Sequence, residues 1–105
     1  MLSPKEHKNL EKYVQGIDVS RMAAAFDALG EPNRCLIFRA LLKKNNVSVG
    51  QLASALGISE SLASQHLKVL LQAELVQRDK DGKNVYYTVN NDDSLVNALK
   101  QAVEV

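Results

Sequence analysis

The side chains best placed to do chemistry are short hydrogen-bonding groups rather than nucleophiles. Ser61, Ser64, Gln65 and Lys68 fall at helical spacing on one side of the stretch 59–71, opposite an apolar stripe of Ala63, Leu67 and Leu70. A face that meets only water is more often Glu and Lys throughout. Short donors and acceptors suit a helix pressed against base edges and phosphates, and a Gln amide can pair bidentately with adenine in a major groove. A second polar group follows at Arg78, Lys80 and Lys83, with Asn84 beside them; cations there suit a phosphate backbone. Catalytic patterns are missing. The chain has no Gly-rich phosphate loop and no nucleophile motif, and Ser59, Ser61 and Ser64 form no triad, so it reads as no enzyme and needs no cofactor.

The elements that must hold these residues are legible on either side of them. Ser48 with Gln51 three residues on makes a capping box, and Val49, Leu52, Ala53 and Leu56 repeat at helical spacing behind it. Gly57 supplies a left-handed residue to end that helix, Ser59 caps the next, and Glu60 lies in its first turn, where the helix dipole favours an acid. Two short helices meeting at a sharp turn describe a helix-turn-helix, but also any small helical hairpin. The next segment separates the two. Residues 75–80 and 83–89 are β-prone and flank Asp81-Gly82, which predicts a two-residue type I′ hairpin with both turn residues at positive φ. Val85, Tyr87 and Val89 alternate as in a half-buried strand. A basic hairpin after a reading helix is a wing; a hairpin that only closes a small core is the plainer reading, and both hold if the strands pack while the tip meets phosphate.

Four runs in this order, Ala28-Leu29-Gly30-Glu31-Pro32-Asn33-Arg34, 47–53, 59–70 and 81–87, make the chain similar to the ArsR/SmtB family of bacterial winged-helix repressors over about residues 20–90. The resemblance implies a mainly α fold with a small β-hairpin, a winged helix-turn-helix in the order α1-α2-α3-α4-α5-β-β-α6, and a homodimer. It implies binding to double-stranded operator DNA near its own promoter and release by a signal. Carried onto this chain, Ser61, Ser64 and Gln65 read bases, Val49 and Lys68 assist, and Arg78, Lys80 and Lys83 approach phosphate. One metal site of the family takes cysteines where this chain has Ser48 and Gly50. Another takes His and acids on the last helix, where Asp92 or Asp93 matches one ligand but no His follows His66. No metal is therefore expected, because zinc and softer ions need a converging set of thiolate, imidazole or carboxylate ligands.

The rest of the chain reads as helices around this pair. Ser3-Pro4 opens a charged helix over Lys5–Gln15 that ends at Gly16, with Leu10, Tyr13, Val14 and Ile17 along one side. A second runs over about 20–29, with Met22, Ala25, Phe26 and Leu29 as its stripe and Ala23-Ala24-Ala25 as a patch open to close approach. A third follows Glu31-Pro32 to about Lys44, with Leu36, Ile37, Ala40 and Leu41 inward and Arg34, Arg39, Lys43 and Lys44 outward. The run 90–93 caps a last helix over about 94–104, whose face of Leu95, Val96, Leu99, Ala102 and Val103 is wide for so small a domain. The terminal helices, about 4–15 and 94–104, are expected to cover one another between two subunits; a last helix folded only onto its own core is the alternative.

Composition agrees with this outline and restrains it. One domain of 105 residues, 46% hydrophobic and 24% charged, is an ordinary small globule with one modest core. No apolar run reaches membrane-spanning length and no signal-peptide pattern opens the chain, so a cytoplasmic protein without membrane contact is expected. The net charge is only +1, and Lys68, Arg78, Lys80 and Lys83 are nearly cancelled by Glu60, Glu74, Asp79 and Asp81. Specific binding with a moderate salt dependence follows, rather than strong non-specific attraction. Cys35, the single cysteine, excludes an internal disulfide; it reads as a small buried hydrophobe, with a redox switch as the alternative. His66 reads as packed at the flank of the reading helix. A winged-helix module that binds another protein is the other functional class open at this point.

Overall fold

In the computed structural model, which describes residues 1–16 and 18–104, six helices and one hairpin follow in the expected order. They are α1 (Pro4–Glu11), α2 (Ser20–Leu29), α3 (Pro32–Lys43), α4 (Val49–Leu56), α5 (Glu60–Gln72), β1 (Val76–Asp81), β2 (Asn84–Val89) and α6 (Ser94–Val103). Capping chemistry sets most of the starts. Ser3 with Glu6 and Ser48 with Gln51 form reciprocal capping boxes, Ser59 Oγ accepts from the amide of Leu62, and Asp93 accepts from the amides of Leu95 and Val96. Gly57 at φ 70° ends α4 in the left-handed region, and the amide of Ile58 closes the cap on the carbonyl of Ala53.

α3 is the central post. Its Ile37, Phe38 and Leu41 are fully buried against Ala25 and Ala28 of α2, Leu67 and Leu70 of α5, Tyr87 and Val89 of β2, and Val96 and Leu99 of α6. The strands pair antiparallel from Val76↔Val89 to Asp81↔Asn84, and the segment before α4 joins them through a bridge between Val47 and Tyr87. That bridge places the N-terminus of α4 beside the wing.

Several expectations need correction. α1 stops at Glu11 rather than Gln15. The amides of Lys12, Tyr13 and Val14 bond three residues back, and no residue of the helix is buried, so no packing prolongs a helix this short. Ile17, expected on its apolar side, lies outside the described residues. On α2 the inward residues are Ala25 and Ala28, while Met22 and Phe26 are 47% and 57% exposed. On α3 Leu36 is 52% exposed and Phe38 takes the inner place. Ala102 of α6 is exposed too. Finally, the hairpin turn is one residue later than expected. Asp81 and Asn84 pair, so Gly82-Lys83 forms the turn and only Gly82, at φ 62°, has positive φ. Glycine at the first turn position belongs to the II′ hairpin, which spares Asp81 an unfavourable conformation.

One long-range clasp had no signal in the sequence. Arg21 Nη2 lies 2.6 Å from Oδ2 of Asp93 and donates to the carbonyl of Glu74 at 3.3 Å, while Nε lies 3.2 Å from the Glu74 carboxylate. Glu74 itself is left-handed, at φ 60°, where α5 turns into β1 and the amide of Leu75 reaches back to the carbonyl of Leu70. The hydrogen bond from Arg21, with the amide of Val96, holds the Asp93 carboxyl below its ordinary value of 3.8. A carboxyl lowered by folding contributes stability above that ordinary value and loses it as pH falls through the lowered one. Arg21→Met removes the clasp but keeps the Asp93 cap. Its stability deficit against wild type, measured by urea unfolding, is expected to be constant above about pH 5 and to shrink below about pH 4. A deficit that stays the same at low pH would assign the effect of Arg21 to packing alone.

Candidate nucleic-acid interface

The reading helix is fixed from behind and bare in front. Ala63, Leu67 and Leu70 have no exposed surface, so rotation of α5 about its axis would pull three apolar side chains from the core. His66 completes this back wall at 9% exposure, with Nδ1 3.7 Å from Oε2 of Glu31. That separation is too long for a hydrogen bond, so the two side chains meet in a packing contact. Glu31 also accepts from the amide of Arg34 at 2.9 Å as the cap of α3, so one carboxylate ties the start of α3 to the flank of α5. In front, Ser61, Ser64, Gln65 and Lys68 are all exposed, as their spacing requires.

Glu60 belongs to the same face, in line with Ser64 and Lys68 at four-residue steps, and is exposed. In the sequence Glu60 reads as an acid in a first turn and as one of the charges that offset the nearby cations. Its company in space comes from α4, and spacing along α5 does not reveal that.

The wing settles the charge cancellation seen in the sequence. Directly paired residues of an antiparallel ladder share a face. Arg78 pairs with Tyr87 and Lys80 with Val85, so both cations lie on the side of the hairpin that turns toward the helices, beyond the edge of the core. Asp79 pairs with Tyr86 and Asp81 with Asn84, which puts the two acids on the other side. Charges that alternate along the chain are thereby separated by sign across the sheet. Lys83 is at the turn and exposed. A cleft of about 430 Å³ runs between the start of α4 and the wing, lined by Ser48, Val49, Gln51, Lys83 and Val85 among others. Val49 is half-buried at its edge, so it supports this cleft more than it projects from it.

The expected site residues thus fall on the front of α5 and on the inner face and tip of the wing, with Val49 at the start of α4, which the Val47–Tyr87 bridge holds beside β2. Cys35 is in neither. It is half-buried on α3, with its amide bonded to the carbonyl of Glu31. Among the described residues no three His, Cys, Asp or Glu side chains converge as metal ligands, and no helix is long and apolar enough to cross a membrane.

Comparison with known proteins matches this geometry. Residues 31–78, from the cap of α3 into β1 of the wing, fit the model of the bacterial regulatory proteins of the arsR family. Over 92 residues the chain is 35% identical to the nodulation protein NolR of Rhizobium meliloti, an alignment covering 87% of this chain and 66% of NolR. It is 31% identical over 98 residues to a transcriptional repressor SmtB homolog of Synechocystis sp., covering 92% of this chain and 73% of the homolog. The solved structure of HlyU from Vibrio cholerae superposes with a TM-score of 0.75 at 30% identity, over 86% of this chain and 95% of HlyU. A reading helix locked from behind, a wing with its cations turned inward and these relatives together place the chain in the ArsR family of bacterial regulatory proteins, as a DNA-binding transcriptional regulator built on a winged helix-turn-helix.

Proposed function

We propose that this regulator is a cytoplasmic, homodimeric repressor that reads a two-fold operator with Ser61, Ser64 and Gln65, and that its releasing signal is not a metal ion. The observation that carries the reading is the exposed row of short polar side chains on a helix whose opposite side is wholly buried. Lys68 extends that row toward the backbone. Arg78, Lys80 and Lys83 supply phosphate contacts from the wing, and Val49 supports the cleft between them. With the recognition helix in the major groove, Gln65 accepts from and donates to one adenine.

Support for a second copy comes from surfaces that one copy leaves open. The radius of gyration is 17.6 Å, against about 13 Å for a compact chain of this length, because α1 and its flanking residues project, with Leu2, Leu10, Tyr13 and Val14 exposed. Met22 and Phe26, four residues apart on α2, and Leu36 on α3 add large apolar surface in the same part of the chain. Two half-sites on a palindromic operator match two copies related by a two-fold axis. Support for a signal other than metal comes from the ligand positions. Ser48 and Gly50 stand where thiolates would be needed, and Asp93 already holds Arg21.

Gln65→Ala tests the reading. Operator affinity is expected to fall by about 1–3 kcal/mol, with relaxed preference at one base pair per half-site and the remaining positions unchanged. Titration of a labelled operator and its single-base variants measures both. A variant that binds all of them as wild type does would remove Gln65 from the reading face.

A further inference from the structure

We propose that Glu60 is a specificity-determining residue that selects cytosine in each half-site, and that Gly50 is the residue that positions it. The inference rests on the reading in which α5 lies in the major groove. Recognition helices present their N-terminal residues to the base edges, and Glu60 is the first residue of α5, exposed on the face of Ser61, Ser64 and Gln65.

Its place is set by a missing methyl. A Cβ on Gly50 would come within 2.8 Å of Oε1 of Glu60, far inside van der Waals contact. Glycine at the second position of α4 therefore lets the carboxylate lie across the start of that helix. The N-terminal field of α4 and that of α5 both favour an anion there. Among the described residues Glu60 forms no ion pair; the paired acids are Glu11, Glu31, Glu74, Asp93 and Glu104. No cation among the described residues pairs with the carboxylate on this exposed side of α5, and only the two helix termini offset its charge.

A bare carboxylate facing a duplex is repelled by phosphates, and carbonyl and ring-nitrogen acceptors on base edges cannot satisfy it. Two base-edge amino groups can donate to it, and cytosine N4 suits it better than adenine N6, whose neighbouring N7 acceptor would face the second carboxylate oxygen. Glu60 therefore lowers affinity for most sequences and is compensated at one base, which yields discrimination rather than strength. The small net charge of +1 fits such a binder.

Selection from random duplexes, followed by sequencing, tests this with the wild-type chain, Glu60→Gln and Gly50→Ala. Wild type is expected to enrich a two-fold motif with one cytosine per half-site preferred by roughly 5- to 150-fold. Glu60→Gln should move that position to adenine and leave the others alone. Gly50→Ala should blunt the cytosine preference there and nowhere else. The clash is with the flexible end of Glu60, which can swing away, and alanine is favoured in a helix, so the fold survives. An unchanged motif from Glu60→Gln, or a Gly50→Ala motif altered only at other positions, would overturn the inference. If Gln65→Ala still shifts its own base pair in that case, the reading of α5 stands and only the role of Glu60 falls. A wild-type chain that enriches no motif would overturn both.

Discussion

Phe26→Glu is expected to convert the protein to a monomer and to weaken binding to a full operator by about 10²–10⁴, through loss of the second, tethered half-site. The side chain is 57% exposed and lies on the outer face of α2 with Met22, while the inner face is made by Ala25 and Ala28. The substitution therefore leaves the core of one copy intact. In a two-fold interface it acts twice, because each copy brings the same patch. Each added carboxylate would be buried without a partner, a strongly unfavourable arrangement. Sedimentation at micromolar concentration should show one copy where wild type shows two. Circular dichroism should show the same helix content. Affinity for a duplex carrying a single half-site should be unchanged, which separates lost assembly from damage to α5. A variant that still sediments as two copies would move the interface away from α2. Met22→Lys is expected to give the same result more weakly, since Met22 is less exposed and a Lys stem can lead its charge back to water.

This patch also shows where reading from sequence stops. The starts of α1, α4, α5 and α6 were legible because capping joins residues two or three apart, and the required side chains are adjacent in the chain. The stripe of α5 was legible because one side of that helix is polar. On α2 and α3 apolar residues occur on two sides. Periodicity then shows that two faces are apolar but not which one meets the core, so it points to Met22, Phe26 and Leu36 as inner, where the packed chain buries Ala25, Ala28 and Phe38. The hairpin slipped by one residue because Asp81-Gly82 and Gly82-Lys83 both supply a usable turn, and the ladder decides between them. At the site, exposure of Ser61, Ser64, Gln65 and Lys68 followed from spacing. The separation of Arg78 and Lys80 from Asp79 and Asp81 needed the register. Arg21 and its two acids lie 53 and 72 residues apart, and Glu60 meets Gly50 only through the crossing of two helices, so neither contact leaves a local trace.

Phe38→Ala is expected to remove about 3–5 kcal/mol of stability, the cost of a large aromatic lost from a site that cannot collapse. Phe38 has no exposed surface and lies on α3, where α2, α5, α6 and β2 converge, so no single neighbour can move in without losing another contact. Against a total of about 5–15 kcal/mol for a domain of this size, that loss is between roughly a fifth and all of the stability. Leu36→Ala, two residues away on the outer side of the same helix, should cost an isolated copy no more than about 0.5 kcal/mol. Urea unfolding of both variants at two protein concentrations measures the difference and separates it from subunit association, because a dimer's stability depends on concentration. The functional consequence follows from the same post. α3 contacts both α5 and β2, so its packing sets the angle between the reading helix and the wing. Phe38→Leu keeps most of the volume and should bind the operator with unaltered base preference at a lower melting temperature. If Phe38→Leu instead kept its melting temperature and lost base preference, Phe38 would be setting the geometry of the clamp rather than the stability of the domain.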